Sequence, residues 1–190
     1  MEIQSLKVEE QIRGVLRLLQ SGYEKRDLEK LDLFMEEIFA QSEDTIVFGA
    51  ASNEECIGYN NAKKLVEFDW KFWGEFWIDI DNAFICCSDN MASVTTKGSV
   101  KCQIPTEHFC NRALGDISEM VRSEISPKEK LLLINDNASK VLLELERGEK
   151  HIWSLRLSAV LIKQNGKWFF KQMHFSHPTV TYPGERILES

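Results

Sequence analysis

Residues 153–178 read WSLRLSAVLIKQNGKWFFKQMHFSHP, and this stretch decides the fold. The pair Asn165-Gly166 tolerates the positive φ angles of a tight turn, so the stretch is predicted to form two long strands joined as a β-hairpin. With a loop of those two residues, strict pairing sets Leu157 opposite His174. The hairpin is therefore expected to form the last two strands of a sheet.

Strict alternation divides the side chains of this hairpin between two faces. One face carries Trp153, Leu155, Leu157, Ala159, Leu161, Trp168, Phe170, Gln172, His174 and Ser176. The other carries Arg156, Ser158, Val160, Ile162, Phe169, Lys171, Met173, Phe175 and His177. Since apolar side chains occur on both faces, we expect both to be covered, one by the rest of the fold and the other by a partner subunit.

The composition is that of an ordinary globular protein. The chain has 190 residues, of which 43% are hydrophobic, and this length favours a single domain with an insertion over two domains. A net charge of -7 argues against a nucleic-acid partner, because phosphate contacts need a basic field. Neither a signal peptide nor an apolar run long enough for a membrane span is visible, so a cytoplasmic location is expected. The five scattered cysteines favour reduced thiols.

Helical patterns fill the first third of the chain. A first helix is predicted over about residues 5–26, and Asp27 can cap a second. A third is predicted over about residues 61–75, capped by Asn60, and it is apolar nearly all round. The apolar residues of the first two helices are Ile12, Val15, Leu16, Leu19, Tyr23, Leu28, Leu31, Phe34, Met35 and Ile38. Those of the third are Leu65, Val66, Phe68, Trp70, Phe72 and Trp73.

Strand patterns occur on both sides of that third helix. They predict a short strand at residues 45–48, a strand at 77–81 that continues through 83–87, and a long strand at 91–103. Two further helices are predicted next, over residues 107–122 and from a capping box at Ser126 and Glu129 to a stop at Gly148. We interpret residues 106–148 as a helical insertion in a single domain that spans residues 1–190.

Three segments resemble the nuclear transport factor 2-like (NTF2-like) superfamily, in particular its SnoaL-like branch. These are Tyr23-Glu24-Lys25-Arg26-Asp27-Leu28 to Leu33-Phe34, Gly58-Tyr59-Asn60-Asn61-Ala62, and the closing hairpin from Arg156 to Ser176. The resemblance covers about residues 5–103 and 150–178. It implies an α+β cone, in which N-terminal helices roof a curved antiparallel sheet around a pocket, and the outer side of the sheet often forms dimers.

The resemblance also allows one mechanism to be excluded. Ketosteroid isomerases of this superfamily use a tyrosine on the first helix and an aspartate near the first strand. The corresponding positions here fall near Leu19 and Gly49, and neither side chain can transfer a proton. We therefore exclude that mechanism, while a dehydratase or cyclase with other residues remains open.

The candidate site residues come from the hairpin and from the tryptophans. His174 is the candidate general acid or base, because imidazole titrates near neutrality, and a core histidine is the alternative interpretation. Its face, with Gln172, is assigned to the pocket. Arg156 lies on the opposite face by strict alternation, so its role in the pocket requires a bulge or the open end of the cone. The predicted ligand-binding set is Trp70, Trp73, Trp77, Arg156, Gln172 and His174.

These observations predict a cytoplasmic homodimer whose pocket binds a small, largely apolar molecule, as a sensor or an accessory protein. There are two alternatives: a lyase or isomerase that uses His174, and a dimerisation module whose cone is filled by its own aromatic side chains. No cofactor is expected, because no phosphate loop or dinucleotide fingerprint is present. No metal is expected, because His174 and His177 point to opposite faces of a strand.

Overall fold

The computed structural model describes residues 2–50, 54–103, 105–146 and 149–178. The chain divides into two compact units: one consists of the residues up to Val100 with those from Trp153 onward, and the other is Lys101–Ile152. The helices predicted as an insertion fall in the second unit. The interpretation of the chain as one domain with an insertion stays a prediction.

The described residues of the first unit form three α-helices: α1 (Glu2–Lys25), α2 (Leu31–Ile38) and α3 (Tyr59–Phe72). The apolar residues predicted for the first helix form one buried stripe of α1, which consists of Ile12, Val15, Leu16, Leu19 and Tyr23. Asp27 caps a short 3₁₀ turn at Leu28–Lys30, where its side chain accepts a hydrogen bond from the amide of Glu29. Leu28, which the sequence places on the buried side of the second helix, lies in that turn and is exposed.

Helix α3 begins earlier than the sequence indicated. Its N-cap is Gly58, whose φ of 91° is accessible to glycine at little cost, and the helix starts at the next residue. The prediction of Asn60 as the cap is therefore wrong, since Asn60 already lies within the first turn.

Within the described part of the chain, the strands form one seven-stranded sheet in the order β2-β1-β7-β6-β5-β3, with β4 paired to β5. The strands are β1 (Ile46–Phe48), β2 (Glu55–Ile57), β3 (Glu75–Ile78), β4 (Phe84–Cys87), β5 (Met91–Gln103), β6 (Lys150–Gln164) and β7 (Lys167–Ser176). The expected antiparallel sheet is in fact mixed, because β1 pairs with β7 in parallel. Strand β2 was not predicted.

The three helices lie against the sheet. Helix α1 contacts β3, β4 and β7, α2 contacts β7, and α3 contacts β1 and β2. The buried side chains Leu157, Leu161, Phe170 and Met173 belong to the sheet face turned towards the core. This arrangement is the α+β architecture that the sequence predicted, with N-terminal helices covering one face of the sheet.

A β-bulge changes the register of the closing hairpin. The turn at Asn165 and Gly166 has positive φ angles of 50° and 81°, as predicted. Beyond it, Leu161 pairs with Phe170 but Val160 pairs with Gln172, which leaves Lys171 as the extra residue. The predicted pairing of Leu157 with His174 is therefore wrong, because Leu157 pairs with Phe175.

The bulge exchanges the two faces of β7 after Lys171. Met173 and Phe175 are buried, whereas Gln172 and His174 are exposed. On β6, Arg156 and Ser158 are exposed as well, and they pair with Ser176 and His174. This end of the outer face is thus polar, and the expectation of a second apolar face fails here. The homodimer stays a prediction.

The second unit contains a pair of helices, α4 (Thr106–Arg122) and α5 (Pro127–Glu146), which pack on each other. The capping box before α5 is confirmed: the amide of Ser126 donates to Glu129 Oε2 at 3.1 Å, and the amide of Glu129 donates to Ser126 Oγ at 3.3 Å. Across the described ranges, no helix combines the length and the apolar character that crossing a bilayer would require.

Because of the bulge, substitutions at two neighbouring residues should differ strongly in their effect on the free energy of unfolding. We expect Met173→Ala to lower the free energy of unfolding by about 2 to 4 kcal/mol, because it leaves a cavity in the core. His174→Ala serves as the matched control and should change it by less than about 0.5 kcal/mol, because the side chain is exposed. Urea unfolding of both variants checks this, and a larger loss for His174→Ala would contradict the register.

Candidate functional site

A cavity of about 270 Å³ lies within the first unit, beside α3 and the ends of β6 and β7. It is lined by Gly49, Ala50, Glu54, Leu65, Asp69, Trp73, Trp153, Phe175 and His177. Aromatic rings and a leucine form much of its wall, while two carboxyl groups and an imidazole are the ionisable side chains among the described lining residues. A mostly apolar cavity with a few polar groups is the usual form of a small-molecule site.

Asp69 is the buried polar group of this cavity. It lies in the last turns of α3, between Phe68 and Trp70, and only 8% of its surface is exposed. The hydroxyl of Tyr23, on α1, donates a hydrogen bond of 2.7 Å to Asp69 Oδ2. This hydrogen bond joins α1 to α3 and fixes the position of the carboxyl group.

Burial changes the acidity of both members of this pair. Loss of solvent around Asp69 raises the pKa of its carboxyl group to about 7, an effect that the negative charge of Glu54 reinforces. The hydrogen bond from Tyr23 and the positive charge of Arg26 act in the opposite direction. Burial and the neighbouring Asp69 raise the pKa of Tyr23 well above its usual value, so this hydroxyl stays protonated and donates. Asp69 can therefore hold or release a proton near neutral pH.

Trp73 forms one wall of the cavity and is held in place by its neighbours. Its ring stacks on Phe76 at a centroid distance of 5.7 Å and meets the edges of Tyr23 and Phe175 at 6.1 and 6.0 Å. The guanidinium of Arg26 donates to the carbonyl oxygens of Trp73 and Gly74, just beyond the end of α3. A cation at the C-terminal end of a helix is favourable for the helix dipole, and here it also secures the tryptophan backbone.

Glu54 reaches the cavity because Gly49 has no side chain. The two residues are joined by a hydrogen bond of 2.9 Å from the amide of Gly49 to the carbonyl of Glu54. A Cβ atom at Gly49 would overlap the side chain of Glu54, including its carboxylate. Glycine at this position therefore leaves the space that the glutamate occupies.

His177 completes the set of polar groups. Its Nδ1 lies 2.9 Å from the carbonyl oxygen of Ser154, which can only accept, so Nδ1 carries a hydrogen and donates it. In the neutral imidazole, Nε2 is then a hydrogen-bond acceptor. The ring of Trp153 lies against His177 at a centroid distance of 5.7 Å, so both side chains are oriented together.

The structure places the predicted site residues in four different environments. Trp73 lines the cavity, and Trp70 is buried beside Phe34 with ring centroids 4.8 Å apart. Trp77 is exposed on β3. The remaining three, Arg156, Gln172 and His174, are exposed together on the outer face of the sheet, away from the side chains that face the core. The assignment of the His174 face to the pocket depended on unbroken alternation, which the bulge at Lys171 ends.

Sequence reasoning missed Asp69 and Glu54, and assigned Tyr23 to the helix stripe alone. One signal for Asp69 was present: an aspartate between two aromatic residues, in a helix predicted to be buried on several sides, needs a partner for its carboxyl group. The same argument pairs it with a buried hydroxyl such as that of Tyr23. Glu54 gave no comparable signal, because it lies outside every helix and strand that the sequence predicts.

The polar side chains that line the cavity can accept hydrogen bonds and can exchange protons with a bound molecule. Across the described ranges, no group of three or more His, Cys, Asp or Glu side chains gathers in a way that could hold a metal ion. Asp69, with Tyr23 behind it, supplies a carboxyl group whose protonation changes near neutral pH. The rings of Trp73, Trp153 and Phe175 offer apolar contact around it.

Three helices over a mixed sheet, with a cavity beside the third helix, define the class of the molecule: the chain has the NTF2-like fold. Among solved structures, it resembles an NTF2-like superfamily protein from Salmonella enterica serovar Typhimurium with a TM-score of 0.60 and 14% identity, covering 96% of this chain and 99% of that one. No protein-family model matches the sequence, and no curated protein matches it.

Two further solved structures resemble this chain in fold. An NTF2-like protein of unknown function from Pseudomonas putida has a TM-score of 0.55 and 12% identity, covering 91% of this chain and 88% of that one. A protein from Novosphingobium aromaticivorans, provisionally assigned as a scytalone dehydratase, has a TM-score of 0.55 and 15% identity, covering 100% and 99%. At these identities the likeness shows the fold alone, because one fold supports many functions.

Asp69→Asn is expected to change how stability depends on pH. A carboxyl group with a raised pKa in the folded state holds its proton there after the unfolded chain has released it, so stability falls as pH rises towards 7. Between pH 5 and pH 8, we expect the wild type to lose about 2 to 3 kcal/mol relative to Asp69→Asn. Urea unfolding at both pH values measures this difference.

The matched control is Asp89→Asn, which changes an exposed carboxyl group in the turn before β5. This variant should follow the pH dependence of the wild type. Equal pH dependence in Asp69→Asn and the wild type would show that the Asp69 carboxyl group is not protonated at pH 5 in the folded protein.

Proposed function

We propose that this chain binds a small, mostly apolar molecule in the cavity beside α3. The observation that carries the proposal is the cavity itself, about 270 Å³ in volume, with aromatic walls and a buried carboxyl group. This volume lies just below the range of roughly 300 to 1,000 Å³ that is typical of pockets for drug-sized ligands. The expected ligand is therefore smaller than a typical drug molecule, and a sensor or accessory role would need no chemistry.

Two observations favour binding over a cone filled by the protein's own aromatic side chains. Trp73 forms a wall of the cavity instead of filling it, and Phe72, the last residue of α3, is 71% exposed. Burying Asp69 also has a cost in free energy, which a purely structural core avoids by using an apolar residue. A dimerisation role requires neither the cavity nor the carboxyl group.

A substitution at the exposed edge of the cavity tests binding. Ala50 lines the cavity and is itself exposed, so Ala50→Trp should obstruct the cavity without changing the core. We expect the wild-type protein, freshly purified from cells, to retain a small molecule in native mass spectrometry, and Ala50→Trp to lose it.

The control is Ser93→Trp, which adds the same side chain at an exposed position on β5. It should retain the molecule as the wild type does. If Ala50→Trp retained the same molecule, the cavity would not be its binding site.

A lyase or isomerase reaction is the second candidate, and the pair formed by Asp69 and Tyr23 is the observation that favours it. A carboxyl group with a pKa of about 7 can act as general base when ionised and as general acid when protonated. The provisional dehydratase assignment of the Novosphingobium protein belongs to the same class of reaction. His174, the residue first considered for this role, is exposed on the outer face.

An activity screen with dehydration and isomerisation substrates shows whether Asp69 or His174 acts as the general acid or base. Asp69→Asn should lower kcat by at least about 100-fold, since general acid–base catalysis contributes roughly that much or more. His174→Ala should leave kcat unchanged. If Asp69 acts as the base, kcat/KM should rise with pH through about 7, the pKa of its carboxyl group. Full activity of Asp69→Asn would reject the enzyme candidate based on this pair.

A further inference from the structure

The charges around the cavity point to a class of ligand. Asp69 Oδ2 accepts the hydrogen bond from Tyr23, but within the described part of the chain Oδ1 accepts none, and the carboxyl group forms no ion pair. Arg26 is the cation that acts on it electrostatically, and the guanidinium donates its hydrogens to the carbonyl oxygens of Tyr23, Trp73 and Gly74. A buried carboxyl group normally has a cationic partner, and among the described residues this one has none in contact.

The wall of the cavity suits a positive charge in two ways. Glu54 adds a second carboxyl group, and no lysine or arginine is among the described residues that line the cavity. Three aromatic side chains, Trp73, Trp153 and Phe175, line it as well. Tryptophan is the aromatic side chain that attracts cations most strongly, because the face of its ring is electron-rich. Carboxylates and aromatic rings together are the usual surroundings of a bound ammonium group.

We propose that the ligand of this cavity is an organic cation, namely a protonated amine attached to a compact apolar group. The ammonium group donates hydrogen bonds to Asp69 and Glu54, and the apolar group lies among the rings of Trp73, Trp153 and Phe175. This inference rests on the proposed binding function and gives it a ligand class.

The alternatives fit the same cavity less well. An anionic ligand would meet two carboxyl groups with no lysine or arginine among the described lining residues. A neutral alcohol could donate one hydrogen bond but would leave the charge of an ionised Asp69 without a partner. The net charge of -7 for the whole chain also favours the approach of a cation.

Three probes of nearly the same shape separate these classes: phenethylamine, phenethyl alcohol and phenylacetate, which are cationic, neutral and anionic at pH 8. Isothermal titration of the full chain at low salt measures their binding. We expect phenethylamine to bind at least tenfold more tightly than phenethyl alcohol, and phenylacetate to bind most weakly. Asp69→Asn should weaken phenethylamine binding at least tenfold and leave phenethyl alcohol binding within about twofold.

A second variant keeps the test decisive if Asp69→Asn folds poorly. Glu54 is half-buried at the edge of the cavity, and Glu54→Gln preserves its shape while removing its charge. It should weaken the binding of the amine and not that of the alcohol. Asp89→Asn, which removes an exposed charge on a distant turn, is the control for the change in net charge.

The pH dependence of binding provides an independent readout. As pH rises from 6 to 8, Asp69 becomes ionised, so the affinity for phenethylamine should increase while that for phenethyl alcohol does not. The other titratable or charged groups that surround it in the described chain are Tyr23 on α1, Arg26 just after α1, Glu54 before β2, Cys56 on β2 and His177 just after β7. A pH response that disappears in Asp69→Asn belongs to Asp69, whereas one that persists unchanged overturns its role as the partner of the ammonium group.

The outcomes distinguish this inference from the binding function on which it rests. If phenethyl alcohol or phenylacetate binds as tightly as phenethylamine, and Ala50→Trp abolishes that binding, the cavity binds small molecules but the choice of a cation is wrong. If none of the three probes binds to the wild type, the inference is overturned, and the proposed function is then decided by whether the wild type retains a small molecule in native mass spectrometry.

Discussion

One extra residue in β7 determines which side chains of the sheet meet the helices. Lys171 has no partner across the β6–β7 ladder, so the alternation of β7 shifts by one residue at this point. After Gln172, it is Met173 and Phe175 that point to the core. Because β7 lies between β1 and β6, its register affects both neighbours. The bulge therefore places Phe175 in the wall of the cavity and His174 on the opposite face.

The cavity combines a favourable scaffold with one unfavourable group. Aromatic contacts among Tyr23, Trp73, Phe76 and Phe175 stabilise the wall, and Arg26 satisfies carbonyl oxygens just beyond the end of α3. Asp69 opposes folding whenever it is ionised, since its charge is removed from water with one hydroxyl as its partner. A buried carboxyl group beside a cavity lowers the stability of the fold, but it lies where binding or proton transfer can use the carboxyl group. This balance is the physical basis of the function proposed above.

The sequence predicted the parts of the fold that depend on local pattern. The stripe of α1, the cap at Asp27, the long strand β5, the turn at Asn165 and the capping box at Ser126 all follow from periodicity or from turn chemistry. The bulge does not, because nothing in the alternation around Lys171 identifies which residue lacks a partner. Gln172 and His174 were assigned to the wrong face for the same reason: a shift of one residue in a strand moves every following side chain to the other face. Asp69 was detectable as a carboxyl group in an apolar helix, but its neighbour Glu54 depends on a contact with Gly49 that only the structure reveals.

The parallel pairing of β1 with β7 has a consequence for synthesis in the cell. Residues 46–48 find their partners at residues 172–174, after all the other strands and helices have been made. A ribosome adds roughly 5 to 20 residues per second, so β1 waits several seconds or longer for its neighbour. Until then the apolar sides of α1 and α2 have no β7 to pack against, although both contact it in the folded protein. The part of the core that α1 and α2 share with β7 can therefore form only after the second strand of the closing hairpin has been made.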